Sequence, residues 1–299
     1  ANLISSLAVL IALIPEFTGF KYQFNPQLLK QILKYSFPLL ILGIAGILNQ
    51  TIDKILYPFL FEDKTEAFEQ LGIYGACFRI AVVMMMFTQA FRFAYEPFIF
   101  AQNKGSETKP YTEAMKYFII FSLIIFLGVM FYIDIIKYFV GKDFFAGLDV
   151  VPIVMLGYIF FGIYFNLSFW YKMLDKTYFG AIFSIVGCVI TIAINIIFVP
   201  KHGYIASAWA SLVCNFVMMM ISYLFEQKYR PLKYDYRTIG LYFSLAVVLY
   251  AVNYFVSIEN LALKLLFRTA LFGIFLGVVF TRDLPLSQFK SIGSFLRKK

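Results

Sequence analysis

Histidine is nearly absent. The chain holds one, His202, in a tight turn between Pro200 and Gly203, where it reads as a solvated turn residue rather than a base. That excludes the paired-histidine zinc motif, and neither a nucleophile elbow nor a phosphate-binding glycine loop appears. Cysteine is scarce too. Cys77, Cys188 and Cys214 all fall in apolar stretches, without metal-ligand spacing, and read as small buried side chains. No cofactor or metal is implied. Charge is the largest deficit: 14% of the residues are charged, against about 25% in soluble domains. No basic leader with a small-residue cleavage site marks a signal peptide.

What fills the chain is apolar. The 299 residues are 61% hydrophobic and 20% aromatic, with a mean hydropathy of +0.79. A soluble core does not account for such values, since soluble domains run at about 45–50% apolar. The fold class is therefore all-α, a polytopic transmembrane helix bundle. A spanning helix needs about 20 apolar residues. Eight stretches qualify: 35–61, 71–92, 113–136, 150–171, 178–199, 204–225, 238–256 and 262–280. Loop chemistry separates them, as in Glu-Asp-Lys at 62–64, Asn-Lys-Gly-Ser at 103–106 and Arg-Pro-Leu-Lys at 230–233. Tyr and Trp recur near their ends, where rings with a polar edge favour the headgroup zone. The connections are short and leave no room for an extramembrane catalytic domain, so the chain is expected not to be an enzyme.

Residues 1–14 are apolar but too few to span comfortably, and read as the end of a truncated transmembrane helix. The chain is then the C-terminal part of a longer protein. Residues 15–34 form a cytoplasmic amphipathic linker. Within it Phe24, Leu28, Leu29, Ile32 and Leu33 recur at helical spacing, opposite Lys21, Lys30 and Lys34. Next come a six-helix transmembrane lobe at 35–225, a cytoplasmic loop at 226–237, two additional helices at 238–280, and a basic cytoplasmic tail at 281–299. Charge sets the direction. The connections 15–34, 93–116, 172–177, 226–237 and 281–299 hold seventeen Lys and Arg, and the alternate set holds five. By the positive-inside rule the first set, with the C-terminus, is cytoplasmic. This asymmetry accounts for most of the +9 net charge, so no nucleic-acid partner is needed.

Charges inside the spans carry the functional reading. Lys54, Arg79, Arg92 and Arg268 stand against one clearly embedded acid, Asp53. A cation at the centre of a spanning helix costs about 2.5–3.5 kcal/mol on insertion scales, so such residues usually face a bundle interior or a wet cavity. A cationic cavity suits an anionic substrate. Asn49 and Asp53 share a helix face, as do Gln50 and Lys54. Asp53 precedes the connection near 62 by about as many residues as Arg79 follows its end, placing both roughly 12–14 Å below that boundary. An Asp53–Arg79 pair then has two readings: a structural ion pair, or a switchable one in which Asp53 takes a proton or sodium ion and frees Arg79. Arg92 with Glu96 reads as an interfacial helix pair or an inner gate. Arg268 has no sequence-local partner and reads as a snorkelling side chain. The stripes Ser207/Ser211/Asn215 and Gly187/Thr191/Asn195 read as close helix packing.

Three stretches carry a family resemblance: KQILKYSFPLLILGIAGILNQTIDKILYPFL (30–60), LGIYGACFRIAVVMMMFTQAFRFAYEPFIFAQ (71–102) and PKHGYIASAWASLVCN (200–215). They resemble the polysaccharide flippase family, the O-antigen and lipid-linked oligosaccharide branch of the multidrug/oligosaccharidyl-lipid/polysaccharide exporter superfamily. The resemblance implies two six-helix lobes and a final helix pair, of which this chain holds the second lobe and the pair. It implies a bacterial inner membrane and a transporter, acting here as a monomer. The transporter flips undecaprenyl-diphosphate-linked oligosaccharide from inner to outer leaflet by alternating access, with a proton or sodium counterflow. The acid of helix seven matches Asp53, and the arginine after the start of helix eight matches Arg79. The candidate substrate-binding set is Arg79, Lys54, Arg92, Asn49 and Gln50, with Asp53 as the ion-coupling group. Two alternatives stand beside it. A multidrug or cation antiporter of the same superfamily would favour an acidic cavity. A membrane-embedded glycosyl- or acyltransferase would need an acid or histidine cluster at the water boundary.

Overall fold

The computed structural model describes residues 2–17, 24–101, 109–256 and 258–283. Its α-helices are α1 (Asn2–Leu13), α2 (Pro26–Leu60), α3 (Lys64–Ala101), α4 (Lys109–Phe131), α5 (Ile133–Ile136), α6 (Val150–Leu167), α7 (Phe169–Met173), α8 (Tyr178–His202), α9 (Tyr204–Tyr229), α10 (Tyr236–Phe255) and α11 (Leu261–Arg282). No strand occurs among the described residues. Eight helices are long and apolar enough to cross a membrane: α2, α3, α4, α6 extended through α7, α8, α9, α10 and α11. The polytopic helical fold read from hydropathy is the fold observed. The segment read as amphipathic overlaps the first helix of that fold. Its second half runs into the first span without a break, so α2 is one helix of 35 residues with Pro38 and Pro58 inside it. Residues 18–23 and the tail from 284 lie outside the described residues.

The chain forms two compact units, Ala1–Phe37 and Pro38–Lys299. The first carries α1, whose apolar side chains are exposed throughout. In the second, α6 is central and packs on α9, α3 and α4, while α8 lies along α9. The reason for the tight α6–α9 seam is Gly157. A Cβ there would meet the Leu212 Cα at 3.3 Å, a tight contact that the missing side chain avoids as the backbones approach. The α8–α9 hairpin turns on Gly203, at φ 58° and ψ −145°, a conformation essentially confined to glycine. The Gln70 carboxamide of α3 then accepts from the Tyr204 backbone N–H at 3.3 Å.

The last two helices pack on α4, and polar ties hold that contact at both ends. At one end Lys116 of α4 bonds Asp283, just past α11, at 2.8 Å, and the Tyr242 hydroxyl of α10 donates to the same carboxylate at 2.6 Å. At the other end, Asp134 just beyond α4 binds two cations of α11, Lys264 at 2.7 Å and Arg268 at 2.8 Å.

Candidate functional site

The polar positions of α2 divide between two environments. Asn49 and Tyr57 join a hydrogen-bonded belt with α8 and α9. The Thr191 hydroxyl donates to Asn49 Oδ1. Asn49 Nδ2 donates to the Cys214 sulfur at 3.0 Å. Tyr57 and Ser207 share a hydrogen bond at 3.1 Å, and Ser207 donates to Asn195 Oδ1 at 2.7 Å. Asn195 in turn donates to the Thr191 carbonyl at 2.7 Å. In an apolar surround each such group needs a partner, because an unpaired buried polar group costs several kcal/mol. The belt satisfies them and ties α2 to the lobe. The helix itself buries only Ala45, Asp53 and Tyr57.

Asp53 faces α3. It is 5% exposed, and Oδ1 accepts the Lys54 backbone N–H at 2.8 Å. The Tyr74 hydroxyl, fully buried and without a hydrogen bond within normal range, lies in its field, as do Tyr57 and Tyr158. No cationic side chain is in salt-bridge contact with Asp53 among the described residues, although the Lys54 charge also acts on it. Lys54 reaches across to α3, with its ammonium 3.8 Å from the Phe78 ring centre and 3.4 Å from the Gln50 carbonyl. The Gln50 side chain holds no hydrogen bond among the described residues.

Arg79 does not meet Asp53. Their spacing from the connection near 62 gives the two a matching depth, but depth is only one coordinate of a helical residue. Tyr74 points at Asp53, and five residues on, at 3.6 residues per turn, the side chain has rotated by about 140°. Arg79 is exposed, and lines a cleft of about 290 Å³ with Ala76, Ile80 and Val83 of α3 and Val129, Ile136, Phe139 and Val140 beyond. No hydrogen bond or ion pair among the described residues holds its guanidinium.

Arg92 sits at the far end of α3, where its guanidinium lies 4.7 Å over the Phe165 ring and contacts Glu96 at 3.4 Å. Glu96 also binds Lys172 of α7 at 2.9 Å. The pair is thus a three-charge cluster that joins α3 to α7. Arg268 does not snorkel. It is 6% exposed, and donates to Asn253 Oδ1 at 2.7 Å, the Phe131 carbonyl at 3.0 Å and Asp134 Oδ2 at 2.8 Å.

Two acids escaped the sequence reading. Asp134 accepts Lys137 at 3.1 Å besides Lys264 and Arg268. Burial pushes its carboxyl up, but hydrogen bonds from Lys264 and Lys137 and the nearby charges outweigh this and hold it at about 2. Its signal was the i, i+3 spacing to Lys137 and the i, i+4 spacing of Lys264 and Arg268. Glu226 was placed in a loop, yet it is buried in the last turn of α9, accepting the Tyr234 hydroxyl at 2.8 Å. No local spacing announces that contact.

No protein-family model matches the chain, and no curated protein sequence matches it. A solved structure does: the lipid II flippase MurJ in an inward closed conformation, with a TM-score of 0.60 and 20% identity over 94% of this chain. The chain spans 61% of that structure's length. At this identity the likeness is one of fold.

Proposed function

We propose that the chain is the second lobe and final helix pair of a membrane transporter. It would move undecaprenyl-diphosphate-linked oligosaccharide from the inner to the outer leaflet of a bacterial inner membrane for surface polysaccharide synthesis. The observation that carries the reading is the fold shared with a protein described as a lipid II flippase. The placement of Arg79 supports it. A free guanidinium at the edge of a cleft with seven apolar neighbours matches a ligand that joins phosphate to a long hydrocarbon. In this reading Arg79 attracts the diphosphate, and Lys54 and Arg92 extend the positive field along α2 and α3. Gln50 offers a free carboxamide, while Asn49, already engaged by Thr191 and Cys214, acts by holding α2 in place. Asp53 takes up the proton or sodium ion whose binding drives α2 and α3 to move against the rest of the transporter.

The test replaces Asp53 by Asn and Arg79 by Ala in the native gene and measures surface glycan at matched membrane levels of the protein. Arg79→Ala is expected to lower export at least tenfold. Asp53→Asn is expected to remove the dependence of export on the ion gradient. Undiminished, gradient-dependent export from both variants would refute these roles.

A further inference from the structure

At the Asp134 end of the bundle lies a cavity of about 360 Å³ between α10, α11 and the start of α6. Its polar lining has three parts. Lys264 and Arg268 supply positive charge, Asn253, Tyr250 and Tyr254 supply neutral hydrogen-bonding groups, and Asp149 and Glu259 supply two carboxylates. The cations are not used up by Asp134. Arg268 is 6% exposed and lines the cavity; its Nε and Nη1 are engaged, and Nη2 makes no hydrogen bond among the described residues. Lys264 gives one contact to Asp134 and has donors to spare. Asn253 spends its carbonyl on Arg268 and keeps its amide. Asp149 and Glu259 are exposed and have no ion-pair partner among the described residues. The cavity sits where α10 ends, and Tyr254 and Phe255 there are 74% and 81% exposed, as aromatic rings that favour a headgroup zone would be.

We infer that this cavity binds the head of a singly charged phosphodiester carrying hydroxyl groups. The spare Arg268 and Lys264 donors suit one phosphate oxyanion. The two carboxylates accept hydroxyl donors and repel a bare polyanion, so a diphosphate is disfavoured. The Asn253 amide and the tyrosines supply the remaining hydrogen bonds and an apolar face for carbon. A glycerol phosphodiester, as in phosphatidylglycerol, and a sugar phosphodiester share this chemistry. The site lies apart from the Arg79 cleft and does not rest on the transport reading.

Binding is measured by calorimetry on the full chain in maltoside micelles, with four probes: dihexanoyl-phosphatidylglycerol, dihexanoyl-phosphatidylcholine, methyl glucosyl phosphate and inorganic diphosphate. Phosphatidylglycerol or methyl glucosyl phosphate is expected to bind at least tenfold more tightly than phosphatidylcholine, the stronger of the two identifies the natural source, and any diphosphate binding is expected to be insensitive to Lys264→Met. Asn253→Leu and Lys264→Met are expected to weaken that binding tenfold. Lys137→Met, which also touches Asp134 but does not line the cavity, is expected to stay within twofold. Diphosphate binding that Lys264→Met weakens as much as diester binding, no binding of either diester, or equal loss from Lys137→Met and Lys264→Met would each overturn the site.

Discussion

Replacing Asp134 by Asn keeps the shape of the side chain and removes the charge that three cations share. Breaking a buried ion pair by removing one partner costs about 3–5 kcal/mol, because the other charge is left uncompensated. Arg268 keeps the Asn253 carbonyl at 2.7 Å and the Phe131 carbonyl at 3.0 Å, which sets the expected loss at the low end, about 3 kcal/mol. The titration behaviour leads to a similar size. Held at about 2 against an ordinary 3.8, the carboxylate contributes at most about 2.5 kcal/mol at neutral pH, and less once solvent screening of this half-buried group is counted. A carboxyl whose folded pKa is depressed stabilises fully above its unfolded value. That contribution is lost as pH falls through the folded value, so the window runs from about 4 down to about 2. The assay is equilibrium unfolding of the chain from maltoside into dodecyl sulfate, read by the fluorescence of Trp170 and Trp209 at a series of pH values. The gap between wild type and Asp134→Asn should be largest near neutrality and close below pH 4. Lys137→Met should cost at most about 1 kcal/mol, since a partly exposed pair contributes little. A gap under 1 kcal/mol at pH 7, or one that persists unchanged at pH 2, would refute the placement of Asp134 as the tie between α4 and α11.

Two further perturbations probe the lobe. Ser207→Ala removes the shared partner of Tyr57 and Asn195, leaving a fully buried tyrosine hydroxyl unpaired. A loss of about 1–2 kcal/mol is expected in the same unfolding assay, and Ser207→Thr should recover part of it. Gly203→Ala places a Cβ at φ 58° and ψ −145° against the Gln70 side chain. It should destabilise by about 1–3 kcal/mol, and Gln70→Ala should relieve the steric part without relieving the backbone strain.

Hydropathy made the bundle legible because a lipid-facing helix needs only composition and length, and both are local properties of the chain. It said less about the site, since a side chain's partner depends on azimuth and tertiary packing. Asp53 and Arg79 illustrate this: matched depth was readable, but the turn of α3 between Tyr74 and Arg79 sends the guanidinium away from the carboxyl. The stripe Gly187/Thr191/Asn195 was read as packing, and Gly187 does press on Met218 and Cys214. Thr191 and Asn195 do more, carrying the belt that holds α2. Arg268 lacked a partner in the sequence because Asp134 lies over a hundred positions away, and only the docking of α11 on α4 brings the two together.

The four cations inside the spans sort by what already holds them. Arg268 is buried and triply engaged, and it fastens α11. Arg92 is shared between Glu96 and an aromatic face, and with Lys172 it fastens α3 to α7. Lys54 rests on Phe78 and its own helix, in the field of Asp53 but without a salt bridge among the described residues. Arg79 is held by nothing among the described residues. Retaining an unengaged guanidinium along a spanning helix costs free energy that no internal contact offsets, and an anion arriving from outside the chain would supply the offset. Arg79→Gln should therefore leave the unfolding midpoint unchanged or raise it, while Arg92→Gln and Arg268→Gln lower it. A midpoint that falls as far for Arg79→Gln as for Arg268→Gln would show that the cleft residue is scaffold after all.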